Sequence, residues 1–303
     1  QTVLMNETIF SVVIPTYNRA SKIRRAVESV LAQSYENFEI LVMDDGSTDN
    51  TAEVVASFAD PRITYRWDKN FGGPARPRNR GIALAKGEWI CFLDADDWWT
   101  VDKLQICFDC INEKVDLVYH DLEIIADQPR LFSRKYIKSW QVRTPVLIDL
   151  LLKGNAIANS SVAVRKSVLQ QIDGINESVE MIAAEDYNTW LRIAQLTEQF
   201  VYLPRSLGYY LIHNQSISQK NMSVPGRRAV AEFVPMLSAS QKLKLEANFR
   251  FIKGKFNYYA NNYTKAKEDL LFGIKCGYLI LRVKSVVLLF MLMSKQIRGV
   301  GKL

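Results

Sequence analysis

Short apolar runs that end at polar or acidic residues recur along the first 120 residues. Their β-branched and aromatic content predicts buried strands. We predict strands at 9–14, 39–43, 63–67, 89–93 and 117–120, and two further short strands at 200–203 and 208–212. Between the first two, Ile23, Val27 and Val30 have the spacing of one apolar helix face. Strands that alternate with helices predict an α/β fold with a mostly parallel sheet flanked by helices.

Three carboxylates, Asp94, Asp96 and Asp97, follow the apolar run 89–93 directly. Acidic side chains beside a buried strand repel each other and lose hydration, so a cation or water must compensate them. Mg²⁺ and Mn²⁺ prefer such oxygen ligands and share them with the phosphates of a nucleotide. A solvated acidic turn is the alternative interpretation of this segment taken alone.

Polar residues also follow the other predicted parallel strands, with Thr16 and Tyr17 after the first and Asp45 after the second. Ligands of parallel α/β sheets bind outside the carboxyl ends of the strands, so these residues and the acidic loop are predicted to share one rim. The first strand is followed by neither a Gly-x-Gly-x-x-Gly motif nor a Gly-Lys-Ser/Thr loop, which excludes the usual dinucleotide and P-loop signatures.

The chain of 303 residues is 48% hydrophobic and carries a formal charge of +7. The basic residues are concentrated toward the C-terminus, away from the acidic loop, which favours an anionic surface over nucleic acid as a partner. Four cysteines are too few for a disulfide scaffold, and Cys107 and Cys110 fit a helix face better than half a zinc site. The polar segment 1–8 predicts no cleavable signal peptide.

The composition becomes helical, basic and aromatic from about residue 223. Segment 258–266 resembles one unit of a helical repeat without a clear second copy. Segment 279–293 is strongly apolar, but Arg282 and Lys284 interrupt it and it is too short for a membrane span. It is predicted either to pack on the rest of the protein or to lie in a membrane surface. The face predicted to meet lipid comprises Leu281, Val286, Leu288, Leu289, Leu292 and Met293.

Five motifs in order resemble those of family 2 glycosyltransferases, which have the GT-A fold. The motifs are 13–19 (Val-Ile-Pro-Thr-Tyr-Asn-Arg), 44–49 (Asp-Asp-Gly-Ser-Thr-Asp), 78–81 (Arg-Asn-Arg-Gly), 92–97 (Phe-Leu-Asp-Ala-Asp-Asp) and 185–187 (Glu-Asp-Tyr). The resemblance implies a GT-A catalytic domain at 1–222 with a helical C-terminal extension at 223–303. Within the catalytic domain it implies a nucleotide-sugar-binding half at 1–121 and an acceptor-binding half at 122–222.

The resemblance also implies roles for individual residues. Asp186 matches the general base, and Glu185 is its partner in the Glu-Asp pair. Asp96 matches a ligand of Mn²⁺ or Mg²⁺, and His213 resembles a histidine that reaches the metal or diphosphate in some relatives; a structural histidine is the alternative. The residues matching the nucleotide-sugar site are Pro15, Thr16, Tyr17, Asp45, Arg78, Asn79, Asp94 and Ala95.

The predicted function is that of a metal-dependent, inverting glycosyltransferase. It would move a sugar from a UDP-sugar donor to a hydroxyl of a lipid-linked glycan acceptor. The reaction would belong to the biosynthesis of a bacterial surface polysaccharide. The expected location is cytoplasmic and peripheral at the inner membrane, with contact through the C-terminal helices and no nucleic acid partner. A nucleotidyltransferase acting on a sugar phosphate and a non-catalytic nucleotide-sugar-binding module are the alternatives.

Overall fold

The computed structural model describes residues 9–126, 135–213 and 220–300, with only the backbone for 297–300. The chain forms two compact units, one of residues 1–146 with 156–213 and one of residues 147–155 with 214–303. The segment 1–8, on which the expectation about a signal peptide depends, lies outside the described residues.

Within its described residues, the first unit contains one mixed sheet of nine strands with helices packed on it. Its strands are β1 (Phe10–Thr16), β2 (Phe38–Asp44), β3 (Ile63–Trp67), β4 (Trp89–Phe92), β5 (Trp98–Trp99), β6 (Leu117–Ala126), β7 (Tyr136–Ile137), β8 (Ala163–Arg165) and β9 (Phe200–Ile212). Its helices are α1 (Ala20–Leu31), α2 (Thr51–Ala56), α3 (Ala75–Leu84), α4 (Lys103–Cys110), α6 (Lys166–Gln171) and α7 (Glu185–Leu196). Short 3₁₀ turns occur at Asn159–Ser161 and Val179–Met181.

The sheet order is β3-β2-β1-β4-β8-β6-β9-β5, and β7 pairs with β6. The predicted parallel arrangement holds for β3, β2, β1 and β4. The short strand β8 pairs antiparallel with both β4 and β6, and β5 pairs antiparallel with β9. The sheet is therefore parallel where it carries β1, β2 and β4, and mixed beyond β4.

Two local differences from the predicted strands have simple causes. Pro15 lies inside β1 rather than ending it. The amide of Leu93 donates to the carbonyl of Val13 at 3.1 Å, so the backbone polar groups of Val13 face β4. Because the hydrogen-bonding direction alternates along a strand, Pro15 faces the β4 side as well. It lies beyond the last residue pair with β4, so no β4 residue needs the N–H that proline lacks. The two short strands expected at 200–203 and 208–212 are one strand, β9, whose pairing with β6 shifts register after His120.

The main core lies on the face of the sheet covered by α1 and α4. Ile23, Val27 and Val30 of α1 are buried there, as the helical spacing predicts. Strand β4 is fully buried, and on the opposite face Phe92 packs against Trp190 of α7. Val13 of β1 lies so close to α3 that a Cβ on Gly81 would stand 2.4 Å from its Cγ1. Burial of β1 and β4 on both faces fixes the positions at which their polar ends emerge.

The second unit is helical. It contains α5 (Val146–Lys153), α8 (Ser223–Val230), a 3₁₀ segment (Ala231–Met236), α9 (Ala239–Tyr259), α10 (Tyr263–Cys276) and α11 (Leu279–Val300). Ser238 caps α9 through a capping box with Gln241. Among the described residues, no helix has the length and apolarity required to cross a membrane.

Helix α11 corrects the predicted lipid-facing surface. Leu288 and Leu292 are buried in a core with Tyr258, Ala266 and Leu270, and Leu281 is buried as well. These three leucines therefore stabilise the helical unit and are not available to a membrane. Leu289 is partly buried against the same core, whereas Val286 and Met293 do lie on an exposed face.

Candidate active site

The ends of β1 and β2 form one side of the candidate site. The amide of Asp45 donates to the carbonyl of Thr16 at 2.8 Å, which holds the two strand ends together. Pro15 and Thr16 are buried, whereas Tyr17 is exposed at the rim. The hydroxyl oxygen of Thr16 is buried without a hydrogen-bond partner among the described residues. This rim therefore offers an unused polar atom beside an exposed aromatic ring.

Asp45 is buried at this rim and fixed by the loop after β3. Its two carboxylate oxygens accept from the amides of Phe71 and Gly72 at 3.1 and 3.2 Å. Burial raises the pKa of Asp45, while these amides oppose the rise by stabilising the charged form. Gly46 follows with φ +88°, and a Cβ there would lie 2.6 Å from the amide nitrogen of Asn70. The close approach of the two loops thus requires glycine at position 46.

Arg78 of α3 joins the acidic loop after β4 to the start of α7. Its Nη2 donates to Oδ1 of Asp94 at 2.7 Å and its Nη1 donates to Oε1 of Glu185 at 2.9 Å. Burial by itself would lower the pKa of Arg78, but the two carboxylates outweigh it and the pKa is raised. One guanidinium therefore neutralises a carboxylate from each of two distant predicted motifs.

Asn79, the neighbour of Arg78, points into a different contact. Its Nδ2 donates to the carbonyl of Ile175 and to Glu177, each at 2.8 Å, and its Oδ1 accepts from the amide of Ile175 at 2.8 Å. In this arrangement its side chain holds the loop before α7. The structure thus brings Arg78, Asp94 and Glu185 together and directs the amide of Asn79 to that loop.

Asp186 stands in the first turn of α7, next to Glu185. Its Oδ1 accepts from the amide of Tyr187 at 2.6 Å. Burial and the neighbouring Glu185 raise the pKa of Asp186 to about 7. The second oxygen of Glu185, Oε2, has no hydrogen-bond partner among the described residues, and Glu185 lines a cleft with Phe71, Arg76 and Ile182. The carboxyl group that can exchange a proton near neutral pH, Asp186, therefore directly follows Glu185, which lines the cleft.

Asp96 and His213 form a second pair at the acidic loop. Nε2 of His213 lies 3.0 Å from Oδ2 of Asp96, and both side chains are mostly buried. No group of three or more His, Cys, Asp or Glu side chains in the described parts of the chain is arranged as a metal site. A carboxylate with an imidazole fits a divalent cation such as Mn²⁺ that completes its coordination with a ligand's phosphates. Ala95, between the two aspartates, is buried.

Side chains that the motifs did not single out fix the acidic loop. The hydroxyl of Ser160 donates to Oδ2 of Asp97 at 2.5 Å and accepts from the amide of Asp94 at 3.2 Å. The other oxygen of Asp97 accepts from the amide of Leu211, two residues before His213. Burial, with Asp94 and Asp96, raises the pKa of Asp97 well above its usual range. Asp97 thus fastens the acidic loop to β9, the strand that leads to His213.

Two further contacts support the same loop. Asn159 donates to Oδ1 of Asp94 at 3.1 Å. Arg25 of α1 donates to the carbonyl of Asp96 at 3.3 Å, and its guanidinium lies 3.4 Å from the ring centre of Trp98. The polar run 159–161 between apolar segments was the available sequence signal for Asn159 and Ser160, because buried polar residues require specific partners. No sequence signal distinguished Arg25.

Curated relatives of the chain are bacterial glycosyltransferases. Residues 11–173 match the family described as Glycosyl transferase family 2. The chain is 30% identical to UDP-Glc:alpha-D-GlcNAc-diphosphoundecaprenol beta-1,3-glucosyltransferase WfgD of Escherichia coli, over 62% of this chain and 71% of that protein. It is 29% identical to a second E. coli enzyme of the same description, WfaP, over 84% of this chain and 93% of that protein.

Solved structures share the fold over nearly the whole chain. The crystal structure of S. aureus TarS 1-349 in complex with UDP-GlcNAc has a TM-score of 0.64 at 19% identity and covers 96% of this chain and 92% of that one. Mannosyltransferase PcManGT from Pyrobaculum calidifontis, in complex with GDP-Man and Mn2+, has a TM-score of 0.61 at 18% identity. The match covers 97% of this chain and 83% of that one. These likenesses confirm the predicted GT-A fold with C-terminal helices. Because the family match spans more than half of the sequence and agrees with this fold, the chain belongs to glycosyl transferase family 2.

Proposed function

We propose that the chain is a metal-dependent, inverting glycosyltransferase that uses a UDP-sugar. The observation that carries the proposal is the bridge from Arg78 to both Asp94 and Glu185. It links the acidic loop, where family 2 enzymes hold the donor, to the Glu-Asp pair, where the acceptor hydroxyl loses its proton. The bridge therefore joins the two sites that a sugar transfer requires.

The nucleotide is bound at the ends of β1 and β2. Tyr17 is exposed there and can stack on a base, while Pro15 and Thr16 form the wall beside it. Asp45 uses one lone pair of each oxygen for the amides of Phe71 and Gly72, so it retains acceptor capacity for the N–H of uracil. Asp94 and Ala95 would lie at the ribose and sugar with Arg78 on the donor side, whereas Asn79 holds the loop before α7 and is not assigned a donor contact.

Asp96 and His213 would hold Mn²⁺ or Mg²⁺ together with the donor diphosphate. When bound, such a cation would neutralise negative charge on the departing nucleoside diphosphate. The mannosyltransferase from Pyrobaculum calidifontis is described in complex with GDP-Man and Mn2+, which supports this proposal. Asp97, Ser160 and the amide of Leu211 keep the acidic loop in register with β9.

Asp186 acts as the general base. The acceptor hydroxyl oxygen forms a bond to the anomeric carbon, its proton passes to the carboxylate of Asp186, and the bond to the phosphate oxygen breaks to release UDP. A pKa raised to about 7 suits this step, because the group is available as carboxylate near neutral pH and remains basic enough to take the proton. A single displacement of this kind inverts the anomeric centre.

The acceptor is a lipid-linked glycan of a bacterial surface polysaccharide. This part of the proposal comes from relatives whose names specify a sugar diphosphoundecaprenol acceptor. Such a substrate implies action at the cytoplasmic face of the inner membrane, with peripheral contact through the C-terminal helices.

A donor-hydrolysis screen tests the proposal, because slow hydrolysis needs no acceptor. Nucleotide sugars are incubated with the protein and Mn²⁺, and released nucleotide is measured beside the Asp186→Asn variant as control. Manganese-dependent release of UDP from one donor is expected. Calorimetric binding of UDP without turnover on any donor would instead indicate a binding module, and pyrophosphate release from a nucleoside triphosphate and a sugar phosphate would indicate a nucleotidyltransferase.

A further inference from the structure

Helix α11 is apolar on two opposite faces. The inner face, made of Leu281, Ser285, Leu288 and Leu292, is buried within the helical unit. The outer face consists of Leu279, Ile280, Val283, Val286, Val287, Phe290 and Met293, whose side chains are between 50 and 77% exposed. At 100° per residue these seven fall within an arc of about 140° on the side away from the core.

The outer face is too apolar to be explained by the packing of α11. The inner face already provides the contacts with Tyr258, Ala266 and Leu270 that hold the helix in its unit. Seven large apolar side chains on one continuous face exceed the scattered exposed residues normal for a protein surface. Such a patch is typical of an interaction site.

Charge identifies the kind of partner. The helical unit, residues 147–155 with 214–303, contains 17 Lys and Arg against 5 Asp and Glu, a formal charge of +12. The remainder of the chain contains 22 basic and 27 acidic residues and is therefore net negative. The excess positive charge of the protein thus belongs to the unit that carries the outer face.

Cations also border the outer face itself. On the helical wheel Lys284 follows one edge of the arc and Arg282 the other. Lys284 is exposed, and the guanidinium of Arg282 is held by the carbonyls of Gly277 and Lys275 at the end of α10. An apolar stripe with cations at its edges is the pattern of a helix that lies in the interface of an anionic bilayer.

We propose that the outer face of α11 is a docking surface for an anionic lipid bilayer, with the helix parallel to the membrane plane. A second copy of the chain fits less well, because two units of charge +12 would repel each other. A transmembrane position is incompatible with the inner face, whose leucines remain in the core of the unit. The inference specifies the surface for the membrane contact suggested in the proposed function, but it rests on the helical unit alone.

The test is sedimentation of the full chain with vesicles of phosphatidylglycerol and phosphatidylcholine, compared with phosphatidylcholine alone. The test variant is Val287→Asp with Phe290→Asp. The matched control is Met236→Asp with Leu243→Asp, which removes two side chains that are 56 and 51% exposed in the same unit and changes the charge equally. A third variant, Val287→Ser with Phe290→Ser, removes the apolar groups without adding charge. Thermal melting of all variants verifies folding.

Wild type is expected to bind the anionic vesicles at least about tenfold more tightly than neutral ones. The Asp pair on α11 should lose about tenfold or more of this affinity and the Ser pair a smaller part, whereas the control should change less than about threefold. Equal losses of vesicle affinity in the test and control variants would show that net charge alone controls the binding, and would overturn the proposal. The proposal would also be overturned if the wild type did not bind vesicles, or if it formed a dimer that only the α11 variants abolish. The measurement needs no donor, metal or acceptor, so its failure is distinguishable from failure of the proposed reaction.

Discussion

Nη1 of Arg78 lies 2.9 Å from Oε1 of Glu185, although 107 positions separate the two residues in the chain. Both side chains are almost fully buried. With its other nitrogen Arg78 holds Asp94, so the guanidinium compensates two carboxylates at once. The geometry of the candidate site therefore depends on one buried cation.

Replacing Arg78 with Met should lower the free energy of unfolding by about 3–5 kcal/mol, because it leaves two carboxylates without their buried partner. Urea denaturation measures this change. The control is Arg24→Met, which removes an arginine whose side chain is half exposed and pairs with Glu28 at 3.8 Å. The control should change stability by less than about 1 kcal/mol. Similar values for the two variants would contradict the assigned role of Arg78.

Asp186→Asn should reduce turnover by about 10²- to 10⁴-fold while UDP affinity stays near that of wild type, because the amide cannot accept the proton. Steady-state kinetics and calorimetry measure the two quantities. The matched control is Asp173→Asn, at an aspartate outside the candidate site. Near-normal turnover in Asp186→Asn would indicate that Glu185 or another group is the general base.

The pKa of about 7 for Asp186 also predicts a pH profile. Turnover should rise with pH up to about 7 and then level off, since only the carboxylate form accepts a proton. The same shift has an opposite effect on stability: a carboxyl group with a raised pKa in the fold binds its proton more tightly there than in the unfolded chain. The contribution of Asp186 to stability is therefore present at low pH and is lost as pH rises through about 7.

Two measurements check this pair of effects. Asp186→Asn should lack the acidic limb of the rate profile in its residual activity. Its melting temperature should exceed that of wild type more at pH 8 than at pH 5. An acidic limb that persists unchanged in the variant would show that another group controls it.

Asp96→Ala should abolish the part of UDP binding that depends on Mn²⁺, because the donor diphosphate would lose its shared cation. His213→Ala should weaken the same part. Titration calorimetry with UDP, with and without Mn²⁺, measures the difference, and Asp102→Ala, at a partly exposed aspartate paired with Arg205, is the control. UDP binding to Asp96→Ala that still responds to Mn²⁺ as in wild type would contradict the assignment.

Gly46→Ala should destabilise the chain more than Gly72→Ala does. Both glycines have φ near +90°, so both substitutions carry the strain of a left-handed conformation, about 1 kcal/mol. Only at Gly46 would the new Cβ also meet backbone, the amide of Asn70 at 2.6 Å, whereas the nearest atom at Gly72 is 4.0 Å away. Chemical denaturation of the two variants measures the contribution of this clash. Equal losses in the free energy of unfolding would show that the clash does not destabilise Gly46→Ala.

Helix α11 and strand β9 show where interpretation of the sequence alone was incomplete. The apolar content of 279–293 predicted either packing or a surface helix, and the structure has one face for packing and another exposed. The sequence suggested two short strands at 200–203 and 208–212, but the backbone continues from one to the other as a single strand whose pairing with β6 shifts register. In both cases the missing information was the position of a neighbouring element.

The sequence by itself determined the parallel strands β1 to β4, the order of the motifs and the position of Asp45, Asp94 and Asp96 at strand ends. These features follow from local patterns, because an apolar run specifies a buried strand and polar residues end it. Only the tertiary structure decided that Arg78 joins Asp94 to Glu185, that Ser160 holds Asp97 and that His213 faces Asp96. Those contacts join residues 16 to 117 positions apart. Their partners are selected by the need to neutralise and hydrogen-bond buried polar groups, which depends on what the fold brings close and not on neighbours in the chain.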